Sequence, residues 1–408
     1  MSRVDDLIRT FCPNGVKFYE LDELGNFYGG LTGKSKDDFT DGNAKFITYK
    51  NVYSNPALKI DVEDRVKIAP DEKQRTLEYG DVIFTGSSET PDECGISSVL
   101  TEKTDEKLYL NSFCFVFRFN DLSIILPDFA KHLFRSNNLR YQIGKTASGV
   151  TRYNVSKKLM EKVVIPVPPI EVQGEIAHIL DNFTELTAEL TAELTAELTA
   201  RKKQYEYYTR ELLKFGDAIP NCQLRELIDF RNGKGHEKDI ADDGKYVVVN
   251  SKFISTGGEV KKYSNKQICP LYVDDILMVM SDLPNGRALA KCFVVNENDK
   301  YTLNQRIGAF HVKDEAIIGT RFLYYVLNRN SQLLRFDNGA DQTNLRKDDI
   351  LNIVIPVPSI KEQERIVGIL DRFDALCNDI SAGLPAEIEA RQRQYEYYRD
   401  KLLTFEPA

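Results

Sequence analysis

Short polar segments at matching places in the two halves of the chain have the side chains best suited to contacting a nucleic acid. TGSS (residues 85–88) follows an apolar stretch in the first half, and Ser281 with Asp282 follows one in the second half. GVTRYN (149–154) and GADQTN (339–344) form a second pair. Polar side chains of these types hydrogen-bond to base edges and phosphates. The segments are therefore candidate contact sites, and turn capping is an equally good explanation of the first pair.

Further segments add candidates of the same chemistry. TLNQR (302–306) contains Asn, Gln and Arg, which pair bidentately with adenine and guanine, although a cluster at a strand end is an equally good interpretation. Basic residues in GKSK (33–36) and GKGH (233–236) could contact phosphate. The candidate DNA contacts are Lys34, Lys36, Thr85, Ser87, Ser88, Arg152, Tyr153, Asn154, Lys234, His236, Ser281, Asn304, Gln305, Arg306, Gln342, Thr343, Asn344 and Arg346.

Catalytic signatures are the rival explanation of these residues. GGLTGKS (29–35) resembles a phosphate-binding loop, but that motif requires glycine where this chain has Tyr28. A glycine turn with an exposed lysine explains the segment better, and phosphate contact to DNA would be its functional version. The four histidines lie far apart, without the spacing of metal ligands. The chain also lacks the Asn-Pro-Pro-Tyr/Phe segment of amino-methyltransferases, so we expect no catalysis and no metal site.

The elements that must position these candidates occur twice in the chain. VVIPVP (163–168) returns as IVIPVP (353–358), and QYEYY (204–208) returns at 394–398. The same difference in residue number, here called the repeat offset, relates both pairs and also carries GVTRYN to GADQTN. The stretches that precede the two tails share only scattered features. One frame has therefore been kept twice, while the two regions that it holds have diverged.

Each tail is predicted to form a strand followed by a long helix. Prolines close the β-branched run, Ser359 and Glu362 have the spacing of a capping box, and Pro169 marks the other helix start. TAEL repeats at residues 187–198 favour an uninterrupted helix, whereas GLP (383–385) predicts a break in the second copy. The leucines of this spacer helix are Leu186, Leu190, Leu194 and Leu198.

Two amphipathic helices of about 40 residues need a partner for their apolar stripes. We expect them to pair with each other, as an antiparallel coiled coil within one chain, and homodimerisation is the alternative. CPN (12–14) also resembles IPN (219–221). Because the chain start looks like the continuation of the second tail, we expect the N-terminal segment to pack near the C-terminal helix.

Composition limits the class of protein. The chain has 408 residues and seven cysteines without close pairs, which favours a reducing cytoplasm over a disulfide framework. No apolar run reaches membrane-spanning length, and the first residues do not resemble a signal peptide. The net charge of −8 argues against a simple DNA-binding protein. Local basic faces and partner proteins could still supply phosphate contacts.

The repeated tails, the TAEL array between them and the two divergent regions resemble the specificity (S) subunit of Type I restriction-modification systems over essentially the whole chain. The resemblance implies an α+β fold, with two α/β-type target-recognition domains related by pseudo-two-fold symmetry and separated by two long antiparallel helices. The expected domains are residues 1–16, completing the second conserved region; 17–162, target-recognition domain 1; 163–216, the central conserved region with the TAEL helix; 217–352, target-recognition domain 2; and 353–408, the C-terminal conserved region.

The resemblance also implies a function. Each target-recognition domain would read one half of a bipartite, asymmetric double-stranded DNA target, and the helices would set the spacer and bind two modification (methyltransferase) subunits. Restriction subunits could then join. The S subunit would be non-catalytic, because S-adenosylmethionine belongs to the modification subunits and ATP with Mg²⁺ to the restriction subunits.

The TAEL geometry gives independent support for a spacer. Four residues lengthen a helix by about 6 Å and turn it by about 40°, which is close to the twist of one DNA base pair. We therefore expect about one unread base pair per TAEL unit. The alternative function is a coiled-coil adaptor that binds proteins rather than DNA, which the acidic charge balance favours.

Overall fold

A computed structural model describes residues 3–236, 238–283, 288–337, 341–378 and 383–408, and only the backbone of Asp5. The chain divides into two compact units. Unit 1 contains Met1–Leu194 and Ile388–Ala408, and unit 2 contains Thr195–Glu387. Each unit therefore combines one divergent region with pieces of both tails.

Unit 1 contains twelve described strands and begins the longest helix. The strands are β1 (Lys17–Glu20), β2 (Gly25–Gly29), β3 (Ala44–Ile47), β4 (Arg65–Val66), β5 (Val82–Thr85), β6 (Ser87–Ser88), β7 (Ser97–Val99), β8 (Tyr109–Leu110), β9 (Cys114–Phe119), β10 (Ala147–Gly149), β11 (Tyr153–Val155) and β12 (Val164–Val167). The α-helices are α1 (Arg3–Phe11), α2 (Leu21–Leu24), α3 (Tyr49–Ser54), α4 (Pro127–Leu133), α5 (Asn137–Gly144), α6 (Lys157–Met160) and α7 (Ile170–Leu212), which ends in unit 2. Two 3₁₀ turns span Lys36–Phe39 and Pro91–Glu93.

Unit 2 repeats this order of elements. Its strands are β13 (Asn221–Gln223), β14 (Ile228–Asn232), β15 (Tyr246–Val249), β16 (Tyr263–Ser264), β17 (Ile276–Val279), β18 (Ser281–Asp282), β19 (Cys292–Val294), β20 (Tyr301–Leu303), β21 (Ile307–Val312), β22 (Thr343–Asn344) and β23 (Val354–Pro356). Its α-helices are α8 (Leu224–Leu227), α9 (Ser251–Ser255), α10 (Thr320–Leu327), α11 (Ser331–Leu334), α12 (Lys347–Leu351), α13 (Ile360–Asn378) and α14 (Leu384–Leu402), which continues into unit 1.

The two largest sheets have the same topology in both units. A four-stranded antiparallel sheet has the order β2-β9-β5-β7 in unit 1 and β14-β21-β17-β19 in unit 2. A three-stranded sheet accompanies it, β4-β3-β8 or β16-β15-β20, in which one pair is parallel. Strands β5 and β17 read VIFT and ILMV and are buried along their whole length, as expected for central strands rich in β-branched and large apolar residues. The α+β fold class is as predicted.

The strand predicted at the start of each tail is present in both copies. β12 pairs antiparallel with β1 in unit 1, and β23 pairs antiparallel with β13 in unit 2. Ile165 and Ile355 are fully buried at the centre of these strands. The prolines that end the two strands precede the long helices, so each tail strand leads directly into a helix start.

The helices of the two tails differ in continuity, as predicted. α7 runs for 43 residues through all TAEL units, directly after Pro169. In the second tail α13 begins after Ser359 and ends at Asn378, and α14 begins at Leu384. The start of α14 falls in the predicted break. The three- and four-residue spacing of apolar residues in this tail also predicts that Ile380 lies on the apolar face, but Ile380 lies outside the described residues. The apolar spacing after the break predicts a helix that extends to Phe405, whereas α14 ends at Leu402.

Each unit contains contacts between the two tails. In unit 1, Thr184 hydrogen-bonds to the Tyr395 hydroxyl at 3.1 Å, and the rings of Phe183 and Tyr398 lie 5.7 Å apart. In unit 2, Tyr208 stacks on Phe373 at 5.4 Å. A later residue of α7 thus meets an earlier residue of the second tail. This order is the one expected for antiparallel pairing within the chain, as predicted.

The N-terminal segment packs against the residues that follow α14, in agreement with the prediction that it lies near the C-terminal helix. Val16 forms a parallel bridge with Pro407, in which its N–H donates to the Glu406 carbonyl at 2.8 Å and its carbonyl accepts from Ala408 at 2.9 Å. Gly15 has a φ of +92°, and a Cβ there would lie 2.5 Å from the Pro407 carbonyl oxygen. Glycine is therefore required where the chain approaches its own C-terminal segment.

Two glutamines related by the repeat offset attach the divergent regions to the helices through the same hydrogen bonds. The Gln173 side chain accepts from the backbone of Leu126 and donates to the carbonyls of Ile124 and Pro168. Gln363 likewise accepts from a backbone N–H, of Gly319, and donates to the carbonyls of Ile317 and Pro358. Both glutamines are buried and have every polar atom engaged, so each fixes a loop of its unit to its helix.

Other residues related by the repeat offset also make equivalent contacts in the two units. Gln142 in unit 1 and Gln332 in unit 2 each make two hydrogen bonds to one residue of the tail strand, Val164 and Val354 respectively. Ion pairs from α4 and α10 to the long helices are also equivalent. They join Lys131 to Asp181 in unit 1 and Arg321 to Asp371 in unit 2. The frame thus conserves polar contacts as well as sequence motifs.

Candidate nucleic-acid interface

The two polar segments of unit 1 lie side by side. Residues 147–149 and 153–155 form a β-hairpin, and its second strand pairs antiparallel with β6. Asn154 lies opposite Ser87, and Tyr153 lies opposite Ser88. At the hairpin, Gly149 has a φ of +155°, and a Cβ there would lie 2.0 Å from the Arg152 carbonyl oxygen, so the turn requires glycine.

Arg152 links the hairpin to β6 through its side chain. Its Nε and Nη2 atoms both donate to the Ser87 hydroxyl, at 3.1 and 2.8 Å, and its guanidinium lies 5.7 Å from the centre of the exposed Phe113 ring. Arg152 itself is exposed. The arginine is therefore held by a hydroxyl and an aromatic ring while it remains accessible to a ligand.

An open cleft of about 640 Å³ surrounds this contact. The side chains that line it include several that the sequence candidates did not include: Tyr49, Lys50, Tyr53, Glu89, Glu93 and Phe113. Tyr49 and Tyr53 lie one helical turn apart on α3, with rings 6.1 Å apart. Their four-residue spacing was the available signal, but it did not show that α3 lies beside the hairpin.

Glu93 accepts three hydrogen bonds in this cleft. Hydrogen bonds from Thr90, Tyr53 and Ser88, at 3.0 to 3.1 Å, lower the pKa of its carboxyl group. The group is therefore ionised near neutral pH. An ionised carboxylate can accept a hydrogen bond from a base amino group, as in the pairing of Glu with cytosine N4.

Unit 2 brings its polar segments together in the same register. β18 pairs antiparallel with β22, so that Asn344 lies opposite Ser281 and Thr343 lies opposite Asp282. Gln342 donates from Nε2 to the Ser281 hydroxyl at 2.7 Å. Asn344 and Gln342 are both exposed. The glycine and alanine at 339 and 340, which begin the candidate segment, lie outside the described residues.

The TLNQR candidates lie next to this cluster. Arg306 accepts a hydrogen bond through its backbone carbonyl from Met280, the residue before Ser281. The equivalent bond in unit 1 joins Phe113 to Gly86, the residue before Ser87. Gln305 and Arg306 are exposed, and Asn304 is half-buried and forms a bridge with Lys234. The structure thus places an arginine in unit 2 where unit 1 has a phenylalanine.

Other candidates have internal partners. His236 is 0% exposed, with Nε2 2.8 Å from the Thr302 hydroxyl and Nδ1 2.7 Å from the Lys234 carbonyl. Thr85 is buried and accepts from the Ile96 N–H. Lys34 is paired with Glu72 at 2.6 Å, and this hydrogen bond is the main reason that the pKa of Glu72 falls to about 2.

Lys34 belongs to the segment that resembled a phosphate-binding loop, and the local packing explains one of its glycines, Gly30. A Cβ on Gly30 would lie 2.2 Å from the Asn111 carbonyl oxygen. The equivalent Gly233 lies in the same way against the Asn304 carbonyl oxygen, at 1.9 Å. Close backbone packing at the end of a strand is therefore the role of Gly30 and Gly233.

Two remaining candidates are basic and exposed. Lys36 begins a 3₁₀ turn, and Arg346 precedes α12, where its N–H donates to Asp349 at 3.1 Å. Throughout the described ranges, no group of three or more His, Cys, Asp or Glu side chains is placed to bind a metal. Nor does any helix among the residues described have the length and apolarity needed to cross a membrane.

Known proteins resemble this chain in sequence. The family model described as the Type I restriction modification DNA specificity domain matches residues 13–200 and 220–390. The Escherichia coli EcoR124I/EcoR124II specificity subunit is 34% identical over 276 residues, which cover 62% of this chain and 65% of that protein. A putative Haemophilus influenzae type I restriction enzyme specificity subunit is 32% identical over 271 residues, covering 63% of this chain and 68% of the relative.

Solved structures show the same fold. A chain from a study of complex assembly and conformational transition in the type I R-M system aligns with a TM-score of 0.68 and 16% identity, covering 96% of this chain and 98% of its own length. The HsdS subunit from Thermoanaerobacter tengcongensis aligns with a TM-score of 0.50 and 16% identity, and 96% of each chain is covered. Since the family model matches both halves of the sequence, this chain belongs to the family of Type I restriction-modification specificity subunits.

Proposed function

We propose that this chain is the DNA-reading subunit of a Type I restriction-modification complex, in which each unit reads one half of a split target. The supporting observation is the shared register of two polar clusters with different side chains: Asn154 lies opposite Ser87 in unit 1, and Asn344 lies opposite Ser281 in unit 2. A split target needs two readers that are built alike and differ in the bases that they contact.

DNA affinity in this proposal is shared with partner subunits. The chain has 54 basic and 62 acidic residues, so it does not provide the basic excess typical of an independent DNA-binding protein. Exposed cations beside the clusters, among them Arg152, Lys234 and Arg306, contact the target locally. Two modification subunits supply the remaining phosphate contacts.

The long helices have two roles in this proposal. The continuous α7 sets the number of unread base pairs between the half-sites, with about one base pair for each TAEL unit. The helices also bind the modification subunits. Tyr207 and Tyr397, which are 58% and 62% exposed, are candidate contacts because exposed aromatic side chains are enriched at protein interfaces.

Catalysis belongs to the partners. The modification subunits hold S-adenosylmethionine, and restriction subunits, where they join, hold ATP and Mg²⁺. This chain contributes sequence reading and positioning. Its substrate is double-stranded DNA, which it presents to the methyltransferase without a bound cofactor of its own.

The test is to express the chain with its modification subunit in a host without other methyltransferases and to map methylated adenines by single-molecule sequencing. We expect a split motif with a gap of constant length. A continuous motif would contradict the two-reader proposal. A stable complex that methylates nothing and leaves no bipartite footprint on DNA would instead favour the protein-binding adaptor.

Deletion of residues 191–194 tests the spacer role. Removing one TAEL unit shortens α7 by about 6 Å and rotates the remainder of the helix by about 40°. We expect the gap to shorten by about one base pair, with both half-sites unchanged. Replacement of Thr191, Ala192 and Glu193 by other helix-forming residues, at constant length, is the control. A changed half-site with an unchanged gap would refute the spacer role.

A further inference from the structure

One side-chain position is geometrically equivalent in the two units but is occupied by different residues. Ser87 and Ser281 are each 7% exposed and lie opposite Asn154 and Asn344 respectively. The residue two places before each asparagine donates to the serine hydroxyl. It is Arg152 in unit 1 and Gln342 in unit 2, and the repeat offset relates these two residues as well.

The serine occupies one side of the Arg152 guanidinium. Nε and Nη2 each use one N–H on the hydroxyl, at 3.1 and 2.8 Å. Among the residues that the structure describes, Nη1 has no hydrogen-bond partner. The outer edge therefore keeps an N–H on Nη1 and the second N–H of Nη2. Two parallel donors match the O6 and N7 acceptors of guanine.

The serine of unit 2 leaves a different edge on Gln342. Nε2 uses one N–H on the Ser281 hydroxyl, at 2.7 Å. Within the described ranges, Oε1 of Gln342 accepts no hydrogen bond. Its outer edge thus combines the Oε1 acceptor with the second N–H of Nε2. One acceptor beside one donor matches the N6 amino group and N7 of adenine.

We propose that positions 152 and 342 are equivalent base-reading positions, so that Arg152 selects guanine in one half-site and Gln342 selects adenine in the other. Ser87 and Ser281 act as positioning residues, because each holds the reader by one edge and leaves the other edge to the base. This inference rests on the proposed function and extends it from the existence of two half-sites to the identity of one base in each.

Exchange of the two side chains tests the inference. The R152Q and Q342R variants are each expressed with the modification subunit, and methylated adenines are mapped as for the wild-type chain. We expect R152Q to replace one guanine by adenine in one half-site, and Q342R to replace one adenine by guanine in the other. The gap and all other positions should stay the same.

A binding measurement gives an answer even if a variant no longer supports methylation. Purified complexes with the wild-type chain or R152A are titrated with duplexes substituted at each guanine of the wild-type motif, including 7-deazaguanine. The wild-type complex should discriminate about 5- to 150-fold at one guanine, the range expected for one bidentate pair. R152A should bind all four base pairs there within about two-fold.

A control variant is available, and failure of the proposed function can be distinguished from failure of the base assignment. Arg65→Gln removes an exposed cation from β4 of the same unit and should leave the motif unchanged. A wild-type chain without a split motif refutes the proposed function itself. A split motif that R152Q and Q342R leave unaltered, or an R152A complex that discriminates like the wild type, overturns the base assignment alone.

Discussion

The contacts that join each unit to its long helix are nearly the same in both units, whereas the contacts at the polar clusters differ. Gln173 and Gln363 make three hydrogen bonds each, with the same pattern of one accepted and two donated bonds. At the clusters the backbone register is kept, but Arg152 in one unit is replaced by Gln342 in the other. The side chains change where a ligand has access, while the attachment to the helix is preserved.

A buried aspartate in each unit is conserved only in part, because its ion pair is kept while the residue that pairs with it is different. Asp81 accepts two hydrogen bonds from Arg118, both at 2.7 Å. Asp275 occupies the equivalent place but is paired with Arg231 on a different strand and lies 3.1 Å from Nδ1 of His311. Both carboxylates are buried. The need for a paired charge has been kept, whereas the strand that supplies the partner has changed.

The largest stability effect is expected where this ion pair is broken in unit 1. Asp81→Ala leaves the Arg118 guanidinium partly buried without its bidentate partner, so we expect a loss of about 3 to 5 kcal/mol. Hydrogen exchange of peptides from β5 and β9 measures this loss of stability. Glu78→Ala removes the exposed partner of the same arginine and should cost less than about 1 kcal/mol. Equal losses for the two variants would show that burial does not decide the effect.

The equivalent glutamines should give intermediate and nearly equal effects. Gln173→Leu and Gln363→Leu each leave one N–H and two carbonyls without their partner, which we expect to cost about 2 to 3 kcal/mol in the unit concerned. Urea unfolding followed by unit-specific hydrogen exchange compares the two variants. Gln204→Leu, on the exposed surface of α7, is the control. A large loss in one unit alone would break the equivalence of the two attachments.

The smallest expected effect is a pH dependence of the stability of unit 1. Burial lowers the pKa of His132, although Asp181 at 2.7 Å opposes the shift. The folded state therefore prefers neutral imidazole, and stability should fall as the pH drops below the unfolded pKa of about 6.5, where only the unfolded chain gains a proton. Lys131 and Arg399 also face this group and add repulsion to its charged form.

His132→Phe is the matched variant, because unit 2 has the buried Phe322 at the same position of the repeat. We expect unit 1 of the variant to lose less hydrogen-exchange protection between pH 7.5 and 5.5 than unit 1 of the wild-type chain. The same pH dependence in both proteins would show that His132 is not the titrating group.

The strands and helices of the two tails could be predicted from the sequence, because the signals that specify them are local or periodic. The tail strands, the continuous α7 and the start of α14 result from prolines, glycines and helix-forming repeats. The attachment residues Gln142, Gln173, Gln332 and Gln363 carried the repeat signal too. Gln173 and Gln363 are buried by loops from a different part of each unit, and Gln142 and Gln332 are half-buried against the tail strands. Spacing alone did not distinguish them from surface repeats.

The candidate site was predicted less completely, because its geometry depends on tertiary pairing. The register of β6 with the hairpin brings Ser87 to Arg152, and no local pattern encodes that contact. Burial of His236 depends equally on Thr302, which lies 66 residues away. Tyr53 on α3 and Glu93 on a 3₁₀ turn line the cleft from separate parts of the chain, so neither could be grouped with the hairpin from sequence.

Hydrogen exchange on the assembled complex tests most directly whether each unit reads its own half-site. The complex is bound to its full target, and to two duplexes in which only one half-site is scrambled. We predict that one scrambled half removes protection from the hairpin and β6 of unit 1 alone, and the other removes it from β18 and β22 of unit 2 alone. Loss of protection in the same unit for both duplexes would contradict a separate reader in each unit.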